Sequence, residues 1–363
     1  MAIINTIKDA LGEYKDKKVF LTGHTGFKGT WLTRILKKLG ANVTGYSLNP
    51  ITSPNHFDEI NAEQGINSII GDIRDNKSLN NALSNVGPDY VFHLAAQALV
   101  KRSFEDPIET FSTNIIGSVN LLNAVKNCDS VRSLVYITSD KCYENYEWDW
   151  GYRENDTLGG YDPYSASKAS AEIVYSAYCR SYFHDRINFG SASVRAGNVI
   201  GGGDWSADRI IPDCIRAVEN NKKIILRNPN STRPWQHVLE PLSGYLLLGA
   251  KLYNEPKRFS GSWNFGPLST EKRNVYQVAN AIIRHLGRGE VEKSIKDSKF
   301  HEAGLLQLNC DRANQLLDWY PRWDIDKTLE MTGNWYNEFL KGSDIKQITD
   351  KQILDYFPEI RQI

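Results

Sequence analysis

The sequence has few cysteines and no excess charge of either sign. Its 363 residues include five cysteines, scattered and odd in number. Such cysteines form neither the even framework of a disulfide-stapled secreted domain nor the paired spacing of a zinc site. The 43 Lys and Arg residues balance the 43 Asp and Glu residues. This balance, without blocks of like charge, argues against nucleic acid or an anionic membrane as the main partner.

Long apolar segments and metal-ligand patterns are also missing. No apolar run approaches the ~18 residues that a membrane-spanning helix needs. Asp9 and Glu13 interrupt the N-terminal stretch where a signal peptide would be apolar. We therefore expect a cytoplasmic protein with no membrane partner. The seven histidines show no pairing at metal-ligand spacing, so we assign no residue to a metal.

Short apolar runs alternate with longer amphipathic ones from residue 18 to about residue 195. The apolar runs predict strands at Val19–Thr22, Asn42–Ser47, Ser68–Ile70, Tyr90–Leu94, Leu134–Thr138 and Asn188–Val194. The amphipathic runs predict helices at Gly29–Leu39, Lys77–Leu83, Pro107–Val125 and Pro163–Tyr182. Alternation of this kind predicts a Rossmann-type, doubly wound parallel sheet.

The remaining residues predict a short arm and a smaller second lobe, because the chain exceeds the ~250–300 residues at which single cores tend to split. The arm, residues 1–17, has apolar residues at roughly helical spacing: Ile3, Ile7, Leu11 and Tyr14. The Rossmann domain spans 18–195 and is joined by about 236–262, where Leu242–Leu252 predicts a helix. The smaller, partly interleaved C-terminal lobe spans 196–235 and 263–363 and includes a predicted helix at Asp326–Phe339.

A glycine-rich turn connects the first predicted strand to the first predicted helix. Its residues are Gly23, His24, Thr25, Gly26, Phe27, Lys28 and Gly29. Glycines let the backbone approach a pyrophosphate closely, and the helix N-terminus supplies amide donors and positive potential. Because the turn opens an alternating domain, it predicts a dinucleotide site rather than a tight turn without a ligand.

The acidic residue that usually holds the adenosine ribose, about 20 residues further on, is absent. Residues 41–57 contain no Asp, Glu, Lys or Arg, and the second predicted strand ends at Ser47. The residues alone therefore leave the choice between NAD and NADP open. Asp72, which precedes Ile73 after the third predicted strand, is placed either to reach the adenine edge or to act as a turn or N-cap carboxylate.

Tyr164 and Lys168 are four residues apart, which places a phenol and an ammonium on one helix face. Pro163 suits the first turn of that helix. A nearby ammonium favours the phenolate and lowers the pKa of the phenol, so the pair would prepare Tyr164 as a general base. The spacing alone is equally typical of an exposed pair of side chains.

The glycine turn and the Tyr–Lys pair together resemble the extended short-chain dehydrogenase/reductase superfamily, in its nucleotide-sugar branch. Leu94, Ala95 and Ala96, at the end of the fourth predicted strand, fit the same pattern. Three further segments resemble, more specifically, the CDP-glucose 4,6-dehydratase family: TSDKCYE at 138–144, RAGNVIGGGDW at 195–205 and RPWQHV at 233–238. The resemblance extends from about Lys18 to Tyr336.

The resemblance implies a redox-neutral dehydration of CDP-glucose with NAD as the cofactor. It implies that NAD+ takes a hydride from C4 of the sugar while Tyr164 removes the O4 proton. Water is then lost across C5–C6 and the hydride returns to C6, giving CDP-4-keto-6-deoxyglucose for deoxysugar or O-antigen polysaccharide synthesis. In this family pattern Lys168 also binds the nicotinamide ribose, and Ser139 hydrogen-bonds the sugar O4.

Asp140 and Lys141 occupy the positions where related dTDP-sugar dehydratases have an Asp–Glu pair. Asp140 would protonate the departing O6. An ammonium acts as a base only where burial or cationic neighbours depress its pKa. Lys141 is therefore expected to take the C5 proton or to stabilise a developing enolate, unless it is simply a solvated lysine after a strand.

Guanidinium forks and amides are expected to bind the diphosphate. The resemblance favours Arg233 and Asn198 for this contact, with Arg209 as a weaker candidate. Arg227 lies in the same polar segment.

Gln97 is expected to contact the sugar. Trp205 and Trp235 either stack on the base or fill the core of the second lobe.

Other interpretations share this scaffold. Asp140 and Lys141 favour dehydration over 4-epimerisation, which needs no acid–base pair for water loss; net reduction would require loose cofactor binding. A non-catalytic NAD-binding regulator would have no use for the Tyr164, Lys168 and Ser139 set. The resemblance also implies a homodimer, or a tetramer, formed through the helices Pro107–Val125 and Pro163–Tyr182. Candidates for the apolar second face are Val174, Tyr175 and Tyr178.

Overall fold

The computed structural model describes residues 6–226, 228–268, 272–293 and 305–363. The strands are β1 (Lys18–Thr22), β2 (Asn42–Ser47), β3 (Asn67–Ile70), β4 (Tyr90–His93), β5 (Ser133–Ile137), β6 (Gly190–Ala196), β7 (Val199–Ile200), β8 (Ile224–Leu226), β9 (Thr232–Arg233), β10 (Gln236–His237), β11 (Gly261–Phe265), β12 (Arg273–Asn274) and β13 (Val291–Lys293). Seven of them form one sheet in the order β11-β6-β5-β4-β1-β2-β3. All its pairings are parallel, which confirms the doubly wound Rossmann-type fold.

The helices on and beside the sheet account for much of the remaining chain. They are α1 (Ile7–Gly12), α2 (Phe27–Lys38), α3 (His56–Glu59), α4 (Asn76–Val86), α5 (Val100–Glu105), α6 (Pro107–Phe111), α7 (Gly117–Lys126), α8 (Pro163–Tyr178), α9 (Ile210–Glu219), α10 (Leu239–Asn254), α11 (Pro256–Phe259), α12 (Val275–Leu286), α13 (Asp311–Leu317), α14 (Ile325–Leu340) and α15 (Ile345–Tyr356). In the described part of the chain, no helix has the length and apolar character needed to cross a bilayer.

Alternate side chains of the central strands pack into two separate cores. Val19 and Leu21 of β1 belong to the core that α2 and α10 cover, whereas Phe20 belongs to the core under α4 and α7. Full burial of each such side chain contributes roughly 1.5–3 kcal/mol. Because helices cover both faces, the carboxyl ends of the strands are the open edge at which ligands bind in this architecture.

The N-terminal segment packs on α10. Thr6 caps α1 by accepting a hydrogen bond from the Asp9 amide. The buried hydroxyl of Tyr14 donates to the carbonyl of Leu246 at 2.7 Å. The spacing of Ile7, Leu11 and Tyr14 therefore matches a helix and its packed face, whereas Ile3 lies outside the described residues.

The predicted helix Pro107–Val125 is not a single regular helix. A π-helical turn at Ser112–Ile116 separates α6 from α7. A π turn contains one residue more than an α turn, so it changes which residues face the core. Ile108 and Phe111 of α6 are 81% and 36% exposed, whereas Asn114 in the π turn is 3% exposed. The predicted helix at Pro163–Tyr182 likewise ends at Tyr178 and continues as a π turn, Cys179–Phe183.

The C-terminal residues add short strand pairs and helices beside the open edge. The pairs are β7 with β10, β9 with β12 and β8 with β13. Trp205 is buried against Tyr336, and Trp235 donates its indole N–H to the Arg273 carbonyl at 2.9 Å. The burial of both tryptophans agrees with the core interpretation, although both also border the cleft described below.

Candidate active site

A large cleft lies at the carboxyl ends of the central strands, between them and the C-terminal strand pairs. Its volume is about 1160 Å³, which exceeds the ~300–1,000 Å³ of a typical small-molecule site. The glycine turn, the segments that follow β4 and β5, and the start of α8 all line it. The cleft is therefore large enough for two ligands side by side.

The glycine turn admits no side chain at two of its positions. Gly23 has φ +78°, and a Cβ there would lie 2.7 Å from the Ala95 nitrogen. A Cβ on Gly29 would lie 2.0 Å from the Gly23 carbonyl oxygen. Gly26 caps α2 without a side-chain hydrogen bond, so the first amides of this helix remain available to an anion. These residues fit the pyrophosphate of a dinucleotide.

His24 differs from the other predicted residues of the turn, because its side chain does not line the cleft. The ring is fully buried, with Nε2 2.9 Å from Ser68 Oγ and an edge-on contact to Phe57. Burial lowers the pKa of His24 to about 4, so the imidazole is neutral at pH 7. His24 can offer a ligand only its backbone, while Thr25, Phe27 and Lys28 border the cleft.

The adenosine end of the cleft contains a charged pair that the sequence analysis missed. Asp72 forms an ion pair with Arg74 at 2.5 Å and accepts the Arg74 amide at 2.8 Å. Asp72 is thus a turn carboxylate that also borders the cleft, and hydrogen bonding from Arg74 lowers its pKa. Thr25 Oγ1 lies 2.9 Å from Ser47 Oγ, and Ile73 also lines the cleft.

Leu94, Ala95, Ala96 and Gln97 border the cleft after β4. The side-chain nitrogen of Gln97, Nε2, donates to the Leu99 carbonyl at 3.0 Å and to Thr110 Oγ1 at 2.8 Å. The backbone N–H of Gln97 donates to Asn114 Oδ1, from the π turn, at 2.9 Å. Gln97 is therefore tied to the protein itself, and its expected sugar contact gains no support from this geometry.

Tyr164 and Lys168 are buried in the first turns of α8, so they are not an exposed surface pair. Tyr164 is 8% exposed and Lys168 is 6% exposed. Asp162 caps the helix by accepting the Ser165 amide at 2.9 Å, and Ser139 is near enough to the phenol of Tyr164 to lower its pKa.

The expected lowering of the phenol pKa is wrong for the protein without ligands. Burial raises the pKa of Tyr164 to about 12, which outweighs the opposing effects of Ser139 and Arg209. Burial also lowers the pKa of Lys168 to about 8. The neutral phenol is favoured because desolvation penalises the phenolate more than these neighbours stabilise it.

Ser139 organises the acid–base segment that follows β5. It caps the 3₁₀ turn Asp140–Cys142 by accepting the Lys141 amide at 3.2 Å, and its hydroxyl donates to Asp140 Oδ1 at 3.0 Å. Asp140 is 3% exposed, and among the described residues no group hydrogen-bonds its Oδ2. Burial raises the pKa of Asp140 although Lys141, Ser139 and Lys28 oppose the shift. A carboxyl in this state is suited to donate a proton.

Cations gather at the opposite wall. Arg209 pairs with Asp204 at 2.9 Å, and Asp204, which the sequence analysis did not assign, raises the pKa of Arg209. Burial lowers the pKa of Lys28 to about 8, helped by the charges of Arg209 and Lys168.

Asn198 and Arg233 also border the cleft, whereas Arg227 lies outside the described residues. This wall suits a polyanionic ligand such as a diphosphate. Among the residues that the structure describes, no group of three or more His, Cys, Asp or Glu side chains is arranged to hold a metal ion.

The fold and cleft define a dinucleotide-binding α/β protein with a buried Tyr–Lys–Ser set. A family model described as GDP-mannose 4,6 dehydratase matches residues 20–332. The chain is 47% identical to a CDP-glucose 4,6-dehydratase of Salmonella typhimurium, over 94% of this chain and 97% of the relative. The chain therefore belongs to this dehydratase family, and the resemblance predicted from the sequence is confirmed.

More distant relatives share the fold. A UDP-glucose 4-epimerase of Mycoplasma pneumoniae is 25% identical, over 89% of this chain and 97% of the relative. The dTDP-glucose 4,6-dehydratase DesIV from Streptomyces venezuelae, solved with NAD, superposes with a TM-score of 0.77 at 22% identity. The superposition covers 91% of this chain and 99% of the DesIV chain.

Replacing Asp140 by Asn should stabilise the fold while it impairs chemistry at the cleft. Because the pKa of Asp140 is raised in the folded state, its ionisation destabilises the protein as pH rises above the unfolded pKa. The variant should therefore unfold at a higher urea concentration than the native protein at pH 7. The difference should vanish below about pH 4, where both states carry a protonated Asp140. An equal or lower midpoint at pH 7 would contradict the raised pKa.

Proposed function

We propose that this chain is an NAD-dependent CDP-glucose 4,6-dehydratase, a hydro-lyase that forms CDP-4-keto-6-deoxyglucose for deoxysugar polysaccharide synthesis in the cytoplasm. The observation that carries the proposal is the Ser139–Asp140–Lys141 turn, in which Ser139 and Asp140 are buried, beside Tyr164. It supplies acid–base groups for loss of water that a simple oxidoreductase would not need. The 47% identical relative that bears this name supports the choice of nucleotide.

The cofactor side of the cleft supports NAD. Gly23 and Gly29 leave room only for backbone, so the pyrophosphate can lie against the first turn of α2. Lys168 is placed to hold the nicotinamide ribose. Arg74 is paired with Asp72, which reduces its value as a partner for a 2′-phosphate and favours NAD over NADP. Bound NAD+ supplies the hydride acceptor and, later, the hydride donor.

The protein residues handle the protons. Tyr164 removes the O4 proton, with Ser139 hydrogen-bonded to the same oxygen. The positive charge of a bound nicotinamide and of Lys168 would favour the phenolate, against the burial that now raises the pKa of Tyr164. Asp140, whose pKa burial raises, protonates O6 as water leaves. Lys141 takes the C5 proton or stabilises the enolate that forms.

The substrate side and the organisation of the chain follow the same proposal. Arg233, Asn198 and Arg209 bind the diphosphate of the nucleotide sugar at the cationic wall. Residues 18–195, joined by about 236–262, serve as the NAD-binding domain. The lobe of 196–235 and 263–363 binds the nucleotide sugar, with residues 1–17 as an arm.

We further propose a homodimer formed through α6, α7 and α8. Val174, Tyr175 and Tyr178, expected on the contact face, instead pack in or against the core under these helices. Exposed apolar side chains on these helices and on the π turn between α6 and α7 include Ile108 (81%), Ile116 (52%) and Ile173 (60%). Apolar side chains grouped on exposed helix faces are typical of isologous interfaces.

Replacing Ile116 and Ile173 together by Asp should separate the proposed dimer. Two charges at the centre of an apolar interface would be buried without partners. Sedimentation velocity should show the native chain as a dimer and the variant as a monomer with an unchanged circular dichroism spectrum. A matched variant, Ile225→Asp, should stay dimeric, because Ile225 is exposed on β8, which pairs with β13 outside the seven-stranded sheet and is not part of these helices. A monomeric native chain would refute the proposal.

Purified protein incubated with NAD+ and CDP-glucose should yield a product lighter by one water. Parallel reactions with UDP-, dTDP- and GDP-glucose should yield far less, and mass spectrometry distinguishes the products. Tyr164→Phe should lower the rate by roughly 10²–10⁴-fold, the usual contribution of a general base. Failure of every sugar to lose water, in protein that binds NAD, would refute dehydration and leave epimerisation or reduction to be tested.

Lys141→Ala should retain C4 oxidation and lose dehydration, because Lys141 acts after the 4-keto group has formed. The test is solvent deuterium incorporation at C5, measured by mass spectrometry with CDP-glucose in D₂O. Slow incorporation would assign Lys141 to removal of the C5 proton, either as the base or as the group that stabilises the enolate. Incorporation at the native rate with slow release of water would assign it to a later step, and an unchanged overall rate would exclude it from both roles.

A further inference from the structure

Glu172 and Arg195 form an ion pair beneath the cleft, and neither residue borders it. Each is 2% exposed. Arg195 Nη2 lies 2.8 Å from Glu172 Oε2, and Arg195 Nε lies 3.0 Å from Glu172 Oε1, so the guanidinium donates to both carboxylate oxygens. Arg195 holds the pKa of Glu172 below its usual range although burial opposes this. Buried pairs of this kind are costly to desolvate and seldom add net stability, which points to a task other than folding.

The pair holds both ends of the acid–base segment. Thr138, directly before Ser139, donates its hydroxyl to Glu172 Oε1. Tyr143, directly after the 3₁₀ turn, has its hydroxyl 2.7 Å from Arg195 Nη1. The backbone between them carries Asp140 and Lys141, so its two ends are fixed to one rigid ion pair.

The pair also fixes this segment to the helix that carries the Tyr–Lys set. Glu172 follows Lys168 by four residues and Tyr164 by eight, so the three lie on one face of α8. The segment and the Tyr–Lys pair are thereby positioned from a common point. A displacement of about 1 Å between such groups is enough to cost roughly 10²-fold in rate.

Glu172 has an electrostatic effect on Lys168 as well. Burial lowers the pKa of Lys168 to about 8, and the charges of Cys142 and Glu172 oppose this shift. The other titratable groups in electrostatic contact with Lys168 or Glu172 are Lys28 on α2, His93 on β4, Tyr136 on β5, Tyr175 on α8, Cys179 in the following π turn and Arg195 on β6. Of Cys142 and Glu172, the two groups that oppose the lowering of the pKa of Lys168, Glu172 is the carboxylate.

We propose that Glu172, locked by Arg195, is a positioning residue that aligns the Ser139–Asp140–Lys141 segment with Tyr164 and provides the counter-charge for Lys168. The catalytic part of this inference rests on the proposed dehydratase function. The counter-charge part concerns the protein without ligands and stands independently of the reaction.

The decisive variant removes the whole pair, Glu172→Leu with Arg195→Met. Apolar replacement of both partners avoids an unpaired buried charge and is often neutral or stabilising, whereas Glu172→Gln alone would strand Arg195. The urea midpoint of the double variant should match that of the native protein. Its kcat for CDP-glucose should fall about 10- to 100-fold, with KM changed less than about twofold, because the lost function is alignment rather than binding.

The second readout needs no catalysis. Acetic anhydride acylates only neutral amines, and peptide mass spectrometry gives the acylation rate of Lys168 at pH 7. A fall of the lysine pKa from about 8 to about 7 should raise the neutral fraction of Lys168 at pH 7, and with it this rate, about fivefold. The double variant should therefore acylate Lys168 faster, while the exposed Lys257 reacts as before. Tyr175→Phe, on the same helix as Lys168, removes the hydroxyl that is hydrogen-bonded to Ser191 of β6; it is the matched control and should leave both rates unchanged.

The outcomes separate the two proposals. A double variant that folds with native kcat and native acylation of Lys168 overturns the inference. If kcat falls only as far as the urea midpoint falls, and the acylation rate of Lys168 is unchanged, the pair acts in folding. This outcome also overturns the inference. If the native chain dehydrates no nucleotide sugar, the proposed function fails, and faster acylation in the double variant still supports the counter-charge.

Discussion

Removing acid–base side chains from water costs free energy, and this cost governs the arrangement of the cleft. Tyr164, Lys168 and Asp140 are each less than 9% exposed, so burial favours the uncharged form of all three. The surrounding structure offsets part of the penalty with Ser139, with the cations at the opposite wall and with the Glu172–Arg195 pair. Ligands that bring their own charges would then set the working protonation states.

The backbone around the glycine turn imposes a second constraint, which is steric. Gly29 packs on the carbonyl of Gly23, and Gly23 packs on Ala95 at the end of β4. The turn, α2 and the segment after β4 thus fit together only when these positions lack side chains. The same contacts fix the distance between two walls of the cleft, the glycine turn and the segment after β4.

The sequence predicted the sheet strands β1 to β6 to within about two residues because buried parallel strands are continuous apolar runs. It did not predict β11, whose residues Gly261–Phe265 alternate polar and apolar side chains and form the sheet edge. The break between α6 and α7 was also missed. A π turn leaves a nearly helical hydrophobic pattern, and only the register of the following residues changes.

The candidate site divides in the same way. Motif positions could be predicted because the glycine turn and the Tyr–Lys spacing are local. Properties that depend on contacts distant in the sequence could not be predicted. The pKa of Tyr164 depends on its burial, and Gln97 is engaged by Thr110 and Leu99. Asn114, Glu172 and Arg195 could be recognised locally only as polar residues within otherwise apolar elements. The same pattern also occurs at ordinary exposed positions, so it does not predict a buried role.

The π turn at Ser112–Ile116 makes this part of the chain sensitive to its length. Asn114 reaches Gln97 on one side and Ser167 of α8 on the other, both within hydrogen-bonding distance. Loss of a single residue from the turn would restore regular α-helical geometry and rotate the preceding side chains by about 100° relative to α7. A one-codon deletion would therefore uncouple two walls of the cleft. During divergence of this chain, insertions and deletions should therefore be confined to other segments.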